Sequence, residues 1–302
     1  MAAGSTTTVN SDSSYLMHGD GMRLSVLHRT TFYYHGAIFQ NENHLHLEPR
    51  TFPYQKTLSS IIRVMPATRL IRYIDLFENV CHRFELLHEH SRLEVESRIK
   101  VHNLPLMLTD FSKQADLTFY QDSEVQEQTW QFMHASRHVD TYGNVWQIAH
   151  QLTESIDSIF RKSWTIMEWI NASFTYEKGT TCVESPFQQI FHQKTGVCQD
   201  FAHVMIGMCR SVGIPARYAS GYLYNGPLDH LVGAQASHAW AEVFLPTAGW
   251  IGFDPTNQTL ADERYVKIAV GRDYEDVAPI KGNYHGTGSQ MEVQVEVKNI
   301  SV

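Results

Sequence analysis

A chain of 302 residues has room for about two domains, and 43% hydrophobic residues are enough to build real cores. Its formal charge of −8 argues against nucleic acid or an anionic membrane as an electrostatically attracted partner. No apolar run approaches the roughly 20 residues of a membrane helix. The four cysteines, at 81, 182, 198 and 209, contain no CxxC pair; too few and too scattered for a disulfide framework, they point to a reducing, cytoplasmic setting.

Residues 1–21 are rich in Ser, Thr and Gly and lack an apolar segment, so they read as a disordered tail and not as a secretory signal. Residues 22–120 carry short β-branched and aromatic runs between Asn, Gly and Pro signals, which predicts an N-terminal β-sandwich-like domain. The clearest strand spans 92–101, with Leu93, Val95, Ile99 and Val101 on one face. His44 and His46 share a strand face, as metal ligands do, and His82, His88 and His90 lie near one another. No third and fourth ligand stands at a recognised spacing, so these read as surface or edge-strand histidines and no metal is expected.

The character changes near residue 121, where a core spanning 121–275 begins. Two helix-tolerant polar stretches precede a stronger helix, in which Ile156, Ile159, Phe160, Ser163, Ile166, Met167 and Ile170 keep helical period. Thr153 or Ser155 is the expected cap. A short helix from Phe187 to about Gln193 then ends before Gly196.

Next comes the stretch that carries chemistry. Cys198, Ala202, Met205, Ile206, Cys209 and Val212 recur at helical spacing, and Gly213 and Pro215 stop the helix. Cys198 thus falls at or within a residue of a helix N-terminus, where unpaired N–H groups and the macrodipole favour an anionic sulfur. An isolated cysteine is ordinarily a small buried hydrophobe; the downstream sequence shifts that reading. Residues 237–245 alternate strictly, with His238, Trp240 and Glu242 on one face, and a turn leads to a second short strand ending at Asp254. Folding that hairpin brings Asp254 opposite His238 to within a residue or two. A carboxylate orients an imidazole and an imidazole takes a thiol proton, which makes Cys198, His238 and Asp254 the candidate catalytic residues. His203, five residues along the helix, is turned from Cys198 by roughly 140°. Asp200 reads as a helix cap. The backbone N–H of Cys198 is the first candidate oxyanion donor. Trp240 and Tyr222 are expected to wall the substrate cleft, and the 225–236 loop is the natural specificity element. Residues 276–302 form an extension whose terminal strand, 291–297, should pair with an existing sheet.

The runs Gly196-Val197-Cys198-Gln199-Asp200-Phe201-Ala202-His203, Gly213-Ile214-Pro215-Ala216-Arg217-Tyr218, Ser237-His238-Ala239-Trp240 and Gly252-Phe253-Asp254-Pro255-Thr256-Asn257 resemble the transglutaminase-like superfamily. Leu45-His46-Leu47-Glu48-Pro49-Arg50 and His82-Arg83-Phe84 extend the likeness to its bacterial branch with a β-rich N-terminal region. The resemblance implies an α+β fold: an N-terminal antiparallel β domain, then a papain-like core in which the nucleophile's helix packs on an antiparallel sheet. It also implies a thioester intermediate. By position it makes Tyr176 the candidate for the second oxyanion donor, with Gln199 as runner-up. Animal members are calcium-regulated; lacking an acidic loop of the EF-hand kind, this chain is expected to be calcium-independent, with no cofactor. The expected partner is a peptide or protein substrate carrying an amide or glutamine group, and the oligomeric state stays open. Hydrolysis, as by a cysteine protease or amidase, is the first reading. A protein-glutamine transglutaminase and a catalytically inactive interaction module are the alternatives. The lean to water rests on the 225–236 loop, whose apolar bulk is only Leu228, Leu231 and Val232, a poor barrier around a reactive thioester.

Overall fold

A computed structural model describes residues 21–105, 116–226, 231–233, 237–246 and 248–301. The tail expected over residues 1–21 lies, but for Gly21, outside them, as does most of the 225–236 loop. The fold is α+β. Five strands open the chain: β1 (Met22–Glu48), β2 (Gln55–Met65), β3 (Ile71–Ile74), β4 (Val80–Leu86) and β5 (His90–Asn103). Then come α1 (Ser123–Thr129), α2 (Asn144–Thr153), α3 (Ile159–Ser173), β6 (Thr175–Tyr176), α4 (Phe187–Gln193), β7 (Thr195–Gly196) and α5 (Cys198–Ser211). A run of strands closes it: β8 (Ala216–Leu223), β9 (His238–Leu245), β10 (Gly249–Asp254), β11 (Thr259–Leu260), β12 (Tyr265–Gly271), β13 (Ile280–His285) and β14 (Ser289–Asn299).

The long β1 organises the N-terminal sheet. Its first half lies between β5 and β14, its second between β4 and β13, all antiparallel; β2 pairs with β5 and β3 with β4. The expected face of β5 is buried, and it is divided between two cores. Leu93 and Val95 join Tyr34, Ile38, Leu45 and Phe84 within the sheet, whereas Ile99 and Val101 join Leu24 and Val26 in the core that also holds the helices. A continuous apolar core across the junction joins the two regions.

In the second region β11, β10, β9, β8 and β12 form an antiparallel sheet in that order. Helix α5 packs on β8 and β9 and is flanked by α2, α3 and α4. That position explains its sequence: Phe201, Ala202, Val204, Met205, Ile206, Met208 and Cys209 are all buried, as a helix enclosed on every side requires. Gly213, at φ +82°, ends it in the left-handed conformation expected of a helix stop.

Helix α3 departs from expectation at its start. Ser158, not Thr153 or Ser155, caps it, accepting the Arg161 N–H at 3.3 Å, so Ile156 lies outside the helix. Thr153 belongs to α2, where its hydroxyl donates to the Ala149 carbonyl at 2.8 Å, the back-bond a threonine makes inside a helix.

Strand β12 is an edge, yet its backbone is satisfied. The Gln55 amide brackets Lys267, accepting its N–H at 2.8 Å and donating to its carbonyl at 2.7 Å. Asn79 does the same for Val270, at 2.8 Å both ways, and Asn103 donates to the Tyr265 carbonyl at 2.9 Å. Three amide side chains of the N-terminal region thus substitute for a missing neighbour strand and blunt the edge.

Candidate active site

Cys198 is the first residue of α5, as the glycine-led turn before it predicts, with Val197 at the cap in extended conformation (φ −115°, ψ −179°). The Asp200 carboxylate turns back to accept the Val197 N–H at 2.8 Å and the Thr181 hydroxyl at 2.6 Å. This is the capping arrangement, and burial raises the carboxyl's proton affinity against those two hydrogen bonds. The thiol opens on a cleft of about 260 Å³ lined by Tyr176, Gln199, Tyr218, His238 and Tyr274 among others.

Opposite, the hairpin of β9 and β10 pairs Phe253 with Ala241. Continuing that register sets Asp254 beside Trp240, diagonally two residues from His238 and on the same face. The imidazole Nε2 and Asp254 Oδ2 are 2.7 Å apart, with both side chains fully buried. Asp254 is held from every side. Its Oδ1 accepts the Thr256 N–H at 2.9 Å and the Asn257 N–H at 3.3 Å, and its Oδ2 also accepts from Asn257 Nδ2 at 2.7 Å and the Tyr265 hydroxyl at 2.8 Å. Burial alone would raise its proton affinity, but His238, Asn257 and Tyr265 together hold the carboxyl below the usual range.

Burial likewise opposes charge on His238. The Asp254 carboxylate and the Cys198 sulfur outweigh it, and the imidazole's proton affinity is pushed up to about 10. Nδ1, the nitrogen turned from Asp254, is buried without a geometrically complete hydrogen bond. Gly233, at φ +90°, sits against this nitrogen: a Cβ there would lie 2.7 Å from Nδ1 and 3.8 Å from the Tyr176 hydroxyl. Its neighbour Val232 is tied to Asn257, donating its N–H to Oδ1 at 2.8 Å and accepting from Nδ2 at 3.2 Å. One asparagine therefore orients Asp254 and anchors Val232, the neighbour of the glycine that sits against the imidazole.

Cys198, His238 and Asp254 are thus brought together from α5, β9 and β10. Tyr176 and Gln199 also border the cleft. Tyr176 reaches it because β6 pairs in parallel with β7, setting it beside Gly196; burial first, then the nearby Cys198, Asp254 and Asp200, push its hydroxyl up to about 12, so it stays a donor. His203 is elsewhere. It stacks on His138 with ring centroids 5.5 Å apart and accepts the Tyr274 N–H at 3.1 Å, and burial drives its proton affinity down.

Trp240 and Tyr222 do not wall the cleft. Trp240 is 1% exposed; it is wedged where the glycine backbones at 221 and 252 approach its ring, 5.4 Å from Tyr265 and 6.2 Å from His238 between ring centroids. Tyr222 points into the junction with the N-terminal sheet, its hydroxyl 2.8 Å from His28 Nδ1. Alternation along a strand gives the face of a side chain but not what covers that face. Of the residues that instead border the cleft, Tyr218 closes the Gly213-Ile214-Pro215-Ala216-Arg217-Tyr218 run, whereas Ser220 and Tyr274 carried no sequence signal of their own. Asn257 did stand in the Asp254-Pro255-Thr256-Asn257 run, where its offset of three from the carboxylate is the available clue.

Residues 146–255 match the transglutaminase-like superfamily, and residues 24–102 match the bacterial transglutaminase-like N-terminal region. Over 92% of its length the chain is 34% identical to an uncharacterized protein of Mycobacterium leprae, covering 99% of that protein. The chain belongs to the transglutaminase-like superfamily. It is also 31% identical, over 35% of its own length and 17% of the relative's, to a protein-glutamine gamma-glutamyltransferase of Pseudomonas aeruginosa. The same fold occurs in the crystal structure of a proposed cysteine protease from Cytophaga hutchinsonii, at 20% identity and a TM-score of 0.74, covering 94% of this chain and 92% of that one.

Proposed function

We propose that this superfamily member is a thiol-dependent acyl-transfer enzyme acting on peptide or carboxamide bonds, with water as the usual acceptor. The carrying observation is the imidazole of His238, fixed on one side by a carboxylate with five hydrogen-bond contacts and bordering, with Cys198, an open cleft. In this reading His238 already holds the proton drawn from Cys198, and the thiolate attacks the carbonyl carbon. The oxyanion is held by the Cys198 N–H with Tyr176 or Gln199 as second donor. Collapse breaks the C–N bond, and His238 returns the proton to the leaving amine. Water, deprotonated by the same imidazole, then attacks the thioester to give the acid and restore the thiol.

A protein or peptide amide suits a cleft walled by Tyr176, Tyr218 and Tyr274 with Lys178 beside them. The resemblance to a protein-glutamine gamma-glutamyltransferase supports a second reading, in which an amine resolves the thioester. Supplying an amide acyl donor together with millimolar primary amine separates the two: free acid should be the main product at neutral pH, and dominance of the amide product assigns the chain to transfer. Intact-mass detection of the acyl adduct on Cys198 tests both against an inactive interaction module, which forms none.

A further inference from the structure

We propose that His46, Asp75 and Cys81 bind a divalent transition-metal ion of the zinc class. The three residues come from β1, the β3–β4 connection and β4, which strand pairing alone brings together: β4 lies between β1 and β3, with Cys81 opposite Tyr73. One donor atom from each lies within 4.8 Å of the other two. His46 Nδ1 is 3.0 Å from the Ala278 carbonyl, so a ring N–H at Nδ1 is accepted by backbone and Nε2 is the ring atom on the Asp75 side, the one that would ligate an ion. That nitrogen is 3.6 Å from Asp75 Oδ2, near the edge of roughly 3.4 Å that a tetrahedron with bonds of about 2.1 Å requires.

The carboxylate is pre-oriented as a ligand. Its Oδ1 accepts the Phe77 and Asn79 N–H groups at 2.9 and 2.8 Å, and its Oδ2 accepts from Asn79 Nδ2 at 2.8 Å. A second thiol–imidazole–carboxylate relay does not fit this set. A relay needs the carboxylate and the thiol on opposite ring nitrogens, as at His238, whereas here Nδ1 is engaged by backbone and Asp75 approaches Nε2. A thiolate, a carboxylate and a neutral imidazole carry two negative charges and balance a divalent ion. Mixed sulfur, nitrogen and oxygen donors select zinc over calcium or magnesium. His46 and Asp75 border a groove of about 440 Å³ with Glu42, His44, Tyr73 and Lys281, which gives an ion a way in and room for a fourth ligand.

Titrating the chelator-stripped full chain with Co²⁺ and then Zn²⁺ tests the assignment. Expected are one equivalent per chain, a cobalt–thiolate charge-transfer absorption with the visible bands of a four-coordinate ion, and loss of both as Zn²⁺ displaces Co²⁺. Cys81→Ser should remove the charge-transfer band, and His46→Ala should weaken binding at least 100-fold. The near-isosteric Asp75→Asn, which keeps the backbone contacts, should weaken it too, and covers the case in which loss of a buried thiol unfolds the chain. Cys198→Ala should leave the spectrum unchanged. Absence of stoichiometric binding overturns the assignment, as do bands that survive Cys81→Ser and vanish with Cys198→Ala.

Discussion

Two buried charge clusters sit four residues apart on the same face of β9, and they differ in one respect. Glu242 accepts from Lys267 Nζ at 2.7 Å and from Arg217 Nε and Nη2 at 2.8 and 2.7 Å. Its cations are covered in turn: Arg217 lies over the Trp250 ring at 4.2 Å and Lys267 over Phe52 at 4.0 Å. Burial pulls Lys267 down to about 8 against the pull of Glu242. Glu242 and Lys267 are enclosed, and Arg217 is nearly so. In the other cluster Asp254 is equally enclosed, but His238 keeps a ring nitrogen without a hydrogen-bond partner and borders the cleft together with Cys198. Perturbed proton affinity marks both clusters, so it does not by itself distinguish a site from a scaffold. A valence left for an incoming group does.

The sharpest break between the clusters comes from the nucleophile. Cys198→Ala should lower turnover by at least about 10⁴-fold while changing unfolding free energy by under about 1 kcal/mol, measured by product formation and by denaturant titration. A large stability loss would make Cys198 a core residue instead. Asp254→Asn should lower turnover by about 10³–10⁴-fold and move the alkaline limb of the pH profile toward neutrality, since the carboxylate is what holds the His238 proton up to about 10. The same variant alters stability in a defined window. His238 is raised, so its contribution is complete below its ordinary value of 6.5 and is lost as pH climbs through about 10. Asp254 is depressed, so its contribution is complete above 3.8 and is lost as pH falls through the lowered value. The stability gap between wild type and Asp254→Asn should therefore narrow between about pH 6.5 and 10.

Glu242→Gln addresses the enclosed cluster. It leaves the buried Lys267 and the partly buried Arg217 without a counter-charge and should cost about 3–5 kcal/mol in unfolding free energy, with turnover of the remaining folded enzyme within about twofold. A selective loss of turnover would move Glu242 from scaffold to site. The smallest effect is expected from Tyr222→Phe, which leaves His28 Nδ1 without its hydroxyl partner and should cost about 1–2 kcal/mol with KM unchanged. A KM shift would return Tyr222 to the substrate cleft.

The limits of sequence reading follow from the range of each signal. Cys198 was legible because a helix start and a helix stop are local signals, and the approach of Asp254 to His238 because a short hairpin constrains its register. The strand pattern of residues 92–101 was legible for the same reason. Tyr265, which donates to Asp254 from β12, and Gly233, which borders His238, depend on packing between elements and left no spacing to read. His46, Asp75 and Cys81 fall in the same class: their proximity is a product of strand order. The misplaced roles of Trp240 and Tyr222 came from knowing a face without its cover.

The pairing of β14 with β1 has a consequence for biogenesis. Leu24 faces Asn299, and the Arg23 N–H donates to Ser301 Oγ across 278 residues of sequence. As the ribosome delivers the chain from its N-terminus, one edge of β1 must wait until β14 has emerged, after the helices and the sheet of α5. The sheet of α5, by contrast, closes with β12, before either β13 or β14 exists. Long-range closure of this kind is slow, and an open strand edge invites pairing with other nascent chains. The native yield therefore depends on β14 reaching that edge of β1 before another nascent chain does.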